Sequence, residues 1–382
     1  MTPVSSDALE RAVDVPGKAP PAPPDTDNSS QFQDLFWRVA VTIVLVVCYY
    51  TYRVQVIDFL QTAYTQITGI STRPTTMGVW VVAALLGVVV YIWRKTLARE
   101  KQFHAPLLAT CILLVGDAGF GFLENHFSRT LQVMTGGLLT QYSPTFVAIL
   151  TTVLTELIIG RFYFGKWPHL ASAYVSGISA GILTKSPEMW PFILCGMISI
   201  TSKYALRIGD RHIWNPTNFG VTMMLFLAPQ HVASLSVQAG NEVWAVLVIW
   251  FMGGMILYNI GRLHQPVVFI ATFVPLSILR ALWTGHSVVT ELAPITSPMF
   301  QLYMFFMITD PKTSTRSKWS QSLVVVLVAV METVYRLVFR DVHSLYHALF
   351  TVGPISNLIE IAYYRYLAKP APVQPKMAVA QA

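Results

Sequence analysis

Apolar residues in this chain neither alternate nor recur as narrow stripes; they come in long runs. The runs lie near 37–58, 77–93, 105–122, 144–164, 169–184, 188–202, 213–229, 242–260, 265–282, 297–309, 321–340 and 345–367. A helix of roughly 17–25 apolar residues crosses a bilayer, and only a helix or a closed barrel satisfies its backbone there. The runs at 188–202, 213–229 and 297–309 are short, which allows for broken or re-entrant pieces. The pattern therefore predicts an all-α fold, a polytopic transmembrane helical bundle of about 10–12 spans.

Residues 1–34 are polar and rich in proline, with no apolar core of a signal peptide, and read as a disordered cytoplasmic tail. Residues 35–368 make the membrane domain, and 369–382 a flexible C-terminal tail. The charges give the orientation. With the N-terminus inside, only Arg53, Arg73, Arg129, Lys185, Arg280, Arg336 and Arg340 of the 26 Lys and Arg residues fall on the outer side. That bias favours an even number of spans with both termini in the cytoplasm.

Composition agrees with this reading. Of 382 residues, 54% are hydrophobic and 12% charged, and the mean hydropathy is +0.52. A soluble domain carries about 25% charged residues. The net charge of +7 sits in loops between apolar runs, so it speaks for topology and membrane lipid and against nucleic acid. Cys48, Cys111 and Cys195 lie inside apolar runs without paired spacing, which predicts neither disulfides nor a metal site. His343 and His347 sit one turn apart with no further ligand cluster, so no metal site is assigned to them. No phosphate-binding glycine loop occurs.

The densest polar stretch in the middle of the chain is Lys203 to Gly220, with Lys203, Arg207, Asp210, Arg211 and His212. Asn215-Pro216 then reads as a helix start: Asn as the cap, Pro at the first position, where its missing N–H costs nothing. A helix start beside cations can hold an anion. Thr309-Asp310-Pro311 repeats this grammar and falls on the same face, so the two could build one site from discontinuous backbone. Inside the spans, Asp117 and Glu156 are carboxylates that need partners or a wet cavity, and they are candidates for an ion path. Glu332 has Arg336 at i+4 and reads as a local ion pair. Ala173, Gly177 and Gly181 form a small-residue stripe for close helix packing.

His212-Ile213-Trp214-Asn215-Pro216-Thr217-Asn218-Phe219-Gly220 resembles a signature of one membrane family. That family comprises the B subunit of the sodium-pumping NADH:quinone oxidoreductase, the D subunit of Rnf electron-transport complexes, and the UnbU-type proteins of enediyne clusters. Phe305 to Ser314 is similar to its second signature, and the UnbU-like branch is nearest. The resemblance implies a polytopic helical protein of the bacterial inner membrane, other redox subunits as partners, and a flavin mononucleotide esterified to a Ser/Thr-Gly-Ala-Thr motif. This chain contains no such motif, which argues against covalent flavin and leaves a non-covalent flavin or quinone. The residues it points to are Lys203, Arg207, Arg211, His212, Asn215, Pro216, Asn218, Gly220, Thr309, Asp310 and Pro311. Arg207 and Arg211 would hold an anionic group, and Asp310 would pair with Arg211 or His212. A non-redox ion or small-solute transporter using Asp117 and Glu156 is the alternative, as is a cofactor-free accessory or assembly subunit.

Overall fold

In a computed structural model of the chain, the residues described are 28–99, 104–120, 143–209, 211–233 and 243–367. Residues 1–27 of the tail expected over 1–34, Asp210, the loop carrying Arg129 and the C-terminal tail lie outside them. The fold is all-α, as the apolar runs predict. Its helices are α1 (Asn28–Thr68), α2 (Pro74–Arg99), α3 (His104–Phe120), α4 (Pro144–Ile158), α5 (Leu170–Leu183), α6 (Trp190–Ala205) and α7 (Pro216–Leu227). They continue with α8 (Val243–Asn259), α9 (His264–Thr284), the short α10 (Val288–Leu292) and α11 (Pro298–Leu302), α12 (Lys318–Val338) and α13 (Ser344–Ala362). Among the described residues the only paired strands are β1 (Arg207–Ile208) and β2 (Arg211–His212), an antiparallel hairpin with Arg207 opposite His212.

The chain divides into two compact units, residues 1–53 and 54–382. The described part of the first is helical from Asn28 onward, so helix begins several residues before the expected boundary at 35. In the second, α4 packs on α5 and α6, α6 on α7, α12 on α9 and α13, and α3 on α2, α5 and α8.

Multi-pass membrane insertion is supported by length and polarity. Pro74–Lys95, Pro144–Tyr163, His264–Thr284 and Lys318–Val338 are each long and apolar enough to cross a bilayer, and the two halves of α1 taken together make a fifth. Among the described residues this is fewer than the 10–12 spans expected. Several other apolar runs fold as shorter helices, such as Leu170–Leu183 and the 12 residues of α7. Shorter pieces of this kind are tolerated at membrane depth when protein surrounds them. Trp167, Trp283 and Trp319 stay exposed near helix ends, in keeping with interfacial belts.

The small-residue stripe on α5 does what its spacing suggests. A Cβ on Gly181 would lie 2.6 Å from the Thr145 Cα, so α4 and α5 touch backbone to backbone.

An internal duplication emerges once the elements are in place. Ser143-Pro144-x-Phe146 is followed by Thr155-Glu156, and Ser297-Pro298-x-Phe300 by Thr309-Asp310, at identical spacing. Both serines are extended, with ψ of 133°, and both prolines open a helix that includes a π turn, Ile159–Tyr163 in one and Tyr303–Met307 in the other. The two threonines even make the same bond one turn back, Thr155 to the Thr151 carbonyl at 2.7 Å and Thr309 to the Phe305 carbonyl at 2.5 Å.

Candidate functional site

The two duplicated acids flank the segment from Lys203 to Asn215, and their partners organise that end of the bundle. Asn215 caps α7 through its side-chain oxygen, which accepts from the Asn218 N–H at 3.0 Å, with Pro216 in the first turn. The amide nitrogen of the same side chain reaches across to the Met307 carbonyl at 3.4 Å and to Asp310 Oδ2 at 3.3 Å. One asparagine thus joins the two motifs, which the shared-site expectation required. Asp310 accepts further bonds from the Lys312 N–H and the Thr313 hydroxyl, each at 3.1 Å. Burial raises its proton affinity, against the pull of these bonds and of the Arg262 and Lys312 charges.

The cations expected to hold an anion are mostly engaged elsewhere. Lys203 Nζ lies 2.6 Å from Glu156, which also accepts from the Tyr204 hydroxyl at 2.7 Å. Arg207 stands on the exposed hairpin and donates to the Gly209 carbonyl at 3.0 Å. Arg211 is a latch: its guanidinium donates to the Glu360 carboxylate, to Asn357 Oδ1 at 2.9 Å and to the Ser314 carbonyl at 2.6 Å. The expected pairing of Asp310 with Arg211 or His212 is therefore replaced by Asp310 with Asn215 and Arg211 with Glu360. A forked, permanently charged group fits best where three acceptors already converge.

Asn218 and Gly220 are packing residues. Asn218 Nδ2 donates to the Tyr346 carbonyl of α13 at 3.3 Å. A Cβ on Gly220 would sit 2.7 Å from the Cys195 carbonyl, so glycine is what lets α7 lie against α6. Trp214 and Phe219 stack against Phe350 and tie the same segment to α13.

Beside the Asn215–Asp310 junction lies a cavity of about 380 Å³, within the size range of small-molecule sites. His212, Asn215, Pro216, Thr309, Asp310 and Pro311 line it; Lys203, Arg207, Arg211, Asn218 and Gly220 do not. The first turns of α3, α5 and α7 reach it through Pro106, Ser172 and Thr217, and Lys312 stands at its edge. Three helix N-termini and an ammonium group give this end a positive potential. The walls are apolar, with Val175, Leu257, Phe305 and Phe306.

His212 is the cavity's most informative residue. It is 7% exposed, and its Nδ1 has no partner. Burial, aided by the charges of Lys312, Lys203 and Arg207, lowers its pKa to about 4. It is neutral at physiological pH, with one ring nitrogen left without a partner in a site where buried polar atoms are rarely left bare.

Asp117 and Glu156 are not gathered into one path. Glu156 is bound to Lys203 at the end of α6, and Asp117 is 5% exposed on α3, whose main partners are α2, α5 and α8. His347 pairs with Asp341 and stacks on Phe226. Among the described residues no three His, Cys, Asp or Glu side chains come together as a metal site.

Arg280, assigned to the outer side by the charge count, is 1% exposed, with Glu291 at 2.6 Å and Glu332 at 3.0 Å. The expected Arg336–Glu332 pair is present at 2.9 Å, as one side of this larger network. The duplicated Ser-Pro-x-Phe segments were the signal that could have placed Glu156 and Asp310 as counterparts.

Compared with protein-family models the chain gives no match, and compared with characterised proteins it gives none either.

Proposed function

We propose that this multi-pass membrane protein is a redox-linked subunit of the bacterial inner membrane that holds a flavin or quinone non-covalently in the cavity between α3, α5 and α7. The observation that carries the reading is the neutral His212, nine-tenths buried, with Nδ1 unpartnered in an apolar cavity of about 380 Å³. The residues present suit such a group. Phe305, Phe306, Val175 and Leu257 offer apolar faces for a planar ring, and His212, Thr217 and Lys312 offer polar edges.

When bound, a ring of this class supplies reversible electron acceptance. The chain's own part is placement and electrostatics. Three helix starts and Lys312 favour a ring carrying negative charge or an anionic substituent. Asn215 holds Asp310 in place beside the ligand, and Arg211 fixes the hairpin carrying His212 to α13. Electrons would come from partner redox subunits.

The test is a cofactor inventory. Protein extracted in mild detergent is assayed by absorbance and mass spectrometry beside Ser176→Trp, which fills the cavity. Flavin or quinone should accompany the wild type and fall several-fold in the variant. Wild-type protein carrying neither would overturn the reading in favour of a cofactor-free accessory subunit.

A further inference from the structure

A second, smaller cavity lies on the other side of Asn215. It measures about 20 Å³, and Asn215, Gln265, Thr313, Thr315 and Gln321 supply its polar lining. Gln265 is 1% exposed, Thr315 4% and Gln321 6%. Each has one buried oxygen without a hydrogen-bond partner among the described residues: Gln265 Oε1, Thr315 Oγ1 and Gln321 Oε1.

Hydrogen bonds orient the Gln321 amide. Its Nε2 donates to the Thr315 carbonyl at 2.7 Å and to the Arg316 carbonyl at 3.4 Å, so the other end must be the oxygen. An amide oxygen can only accept, and a hydroxyl brings a single proton. The three oxygens therefore share one proton between them, which can serve one glutamine and leaves the other bare. Buried acceptors are rarely left so, because each bare one forfeits its solvation. A water supplies what is short: two protons for the glutamines and a lone pair for the Thr315 hydroxyl. A space of about 20 Å³ suits one water, which needs at least about 10–15 Å³ and two to four polar partners.

Bare oxygens also suit a metal ion, but the surroundings are positive. Gln265 lies in the first turn of α9 and Gln321 in that of α12, at the positive ends of both helix dipoles. Arg211 bonds the carbonyl of Ser314, which lines the same space.

We propose that one ordered water is bound here, donating to Gln265 Oε1 and Gln321 Oε1 and accepting from the Thr315 hydroxyl, and that it braces the loop after Asp310 against α9 and α12. The brace reaches the larger cavity. Asn215 and Met307 line both spaces, and Thr313, on the wall of the small one, donates to Asp310 Oδ2 at 3.1 Å. Gln265, Thr315 and Gln321 are thus positioning residues for Asp310. The site is independent of the flavin-or-quinone reading, since none of these three residues lines the larger cavity.

A crystallographic map of the full-length protein, at a resolution that shows water, reads the site directly. A second data set from crystals soaked in rubidium chloride reads a cation by its anomalous scattering. One peak should stand within hydrogen-bond distance of all three oxygens and carry no anomalous signal. An anomalous peak, or density drawn closer than a hydrogen bond, would overturn the water in favour of a metal ion. Gln321 Oε1 bonded to His264, whose Nε2 is also buried and unpartnered, with no density between the glutamines, would overturn it too. Thr315→Val, of nearly equal volume, should weaken the peak and lengthen the Thr313–Asp310 bond. Thr315→Ser, which keeps the hydroxyl, should leave both as in the wild type. Indistinguishable maps of the two variants would overturn the brace.

Discussion

Arg211 offers the sharpest separation between holding a ligand and holding the fold. Its guanidinium makes three bonds to elements far apart in sequence: Glu360 and Asn357 on α13, and the Ser314 carbonyl in the loop after Asp310. Arg211→Met keeps much of the stem and removes all three. Hydrogen bonds to charged groups contribute about 1.5–3 kcal/mol each and neutral ones about 1. Glu360, 10% exposed, would keep only the Arg316 N–H at 2.7 Å. Losing one partner of a buried pair costs about 3–5 kcal/mol, and the 18% exposure of Arg211 argues for the lower end, about 3. At roughly 2–4 °C per kcal/mol this is a drop of about 6–12 °C in melting temperature. Thermal unfolding in detergent measures it, and Arg211→Met combined with Glu360→Gln should cost clearly less than the sum of the two single changes. Folded Arg211→Met, which changes no residue lining the larger cavity, should lose less cofactor than Ser176→Trp. A variant that melts like the wild type but loses cofactor would refute the latch and make Arg211 a ligand contact.

Two further outcomes follow from the buried charges. Arg280→Met leaves Glu291 and Glu332 with only Arg336 between them, and should cost about 3–5 kcal/mol, part of which Glu332→Gln recovers when combined with it. Melting curves of the single and double variants check this. For His212 the folded pKa of about 4 lies below the ordinary value of 6.5, so the unfolded chain binds the proton first as pH falls. Stability contributed by the neutral ring is complete above pH 6.5 and lost down to about pH 4, by about 3 kcal/mol in total. The difference between the wild-type and His212→Gln pH profiles isolates that slope from the carboxylates, and parallel profiles would contradict it.

Local grammar was legible in the sequence, and long-range pairing was not. The Asn215 cap and the Pro216 start follow from residue types whose backbone preferences act within a turn or two, and the charge count placed both motifs on one face. The stripe on α5 was equally readable, because close approach needs only small side chains at helical spacing. What failed was partner choice for charges. Lys203 finds Glu156 across 47 residues and Arg211 finds Glu360 across 149, and nothing local distinguishes a cation that faces water from one that faces a carboxylate. Arg280 shows the same limit: the charge count gives it a side, while Glu291 and Glu332, 11 and 52 residues away, are what make its burial tolerable. The larger cavity was hidden for a related reason: its walls come from several helices and a loop far apart in sequence, and only part of its polar lining lies in the two motifs.

The most direct test of the central claim is an experimental density map of natively extracted protein. A flavin or quinone ring should lie between α3, α5 and α7, within hydrogen-bond reach of His212 Nδ1, with Lys312 at its edge. Density for such a ring elsewhere in the protein, or lipid alone in this cavity, would contradict the account.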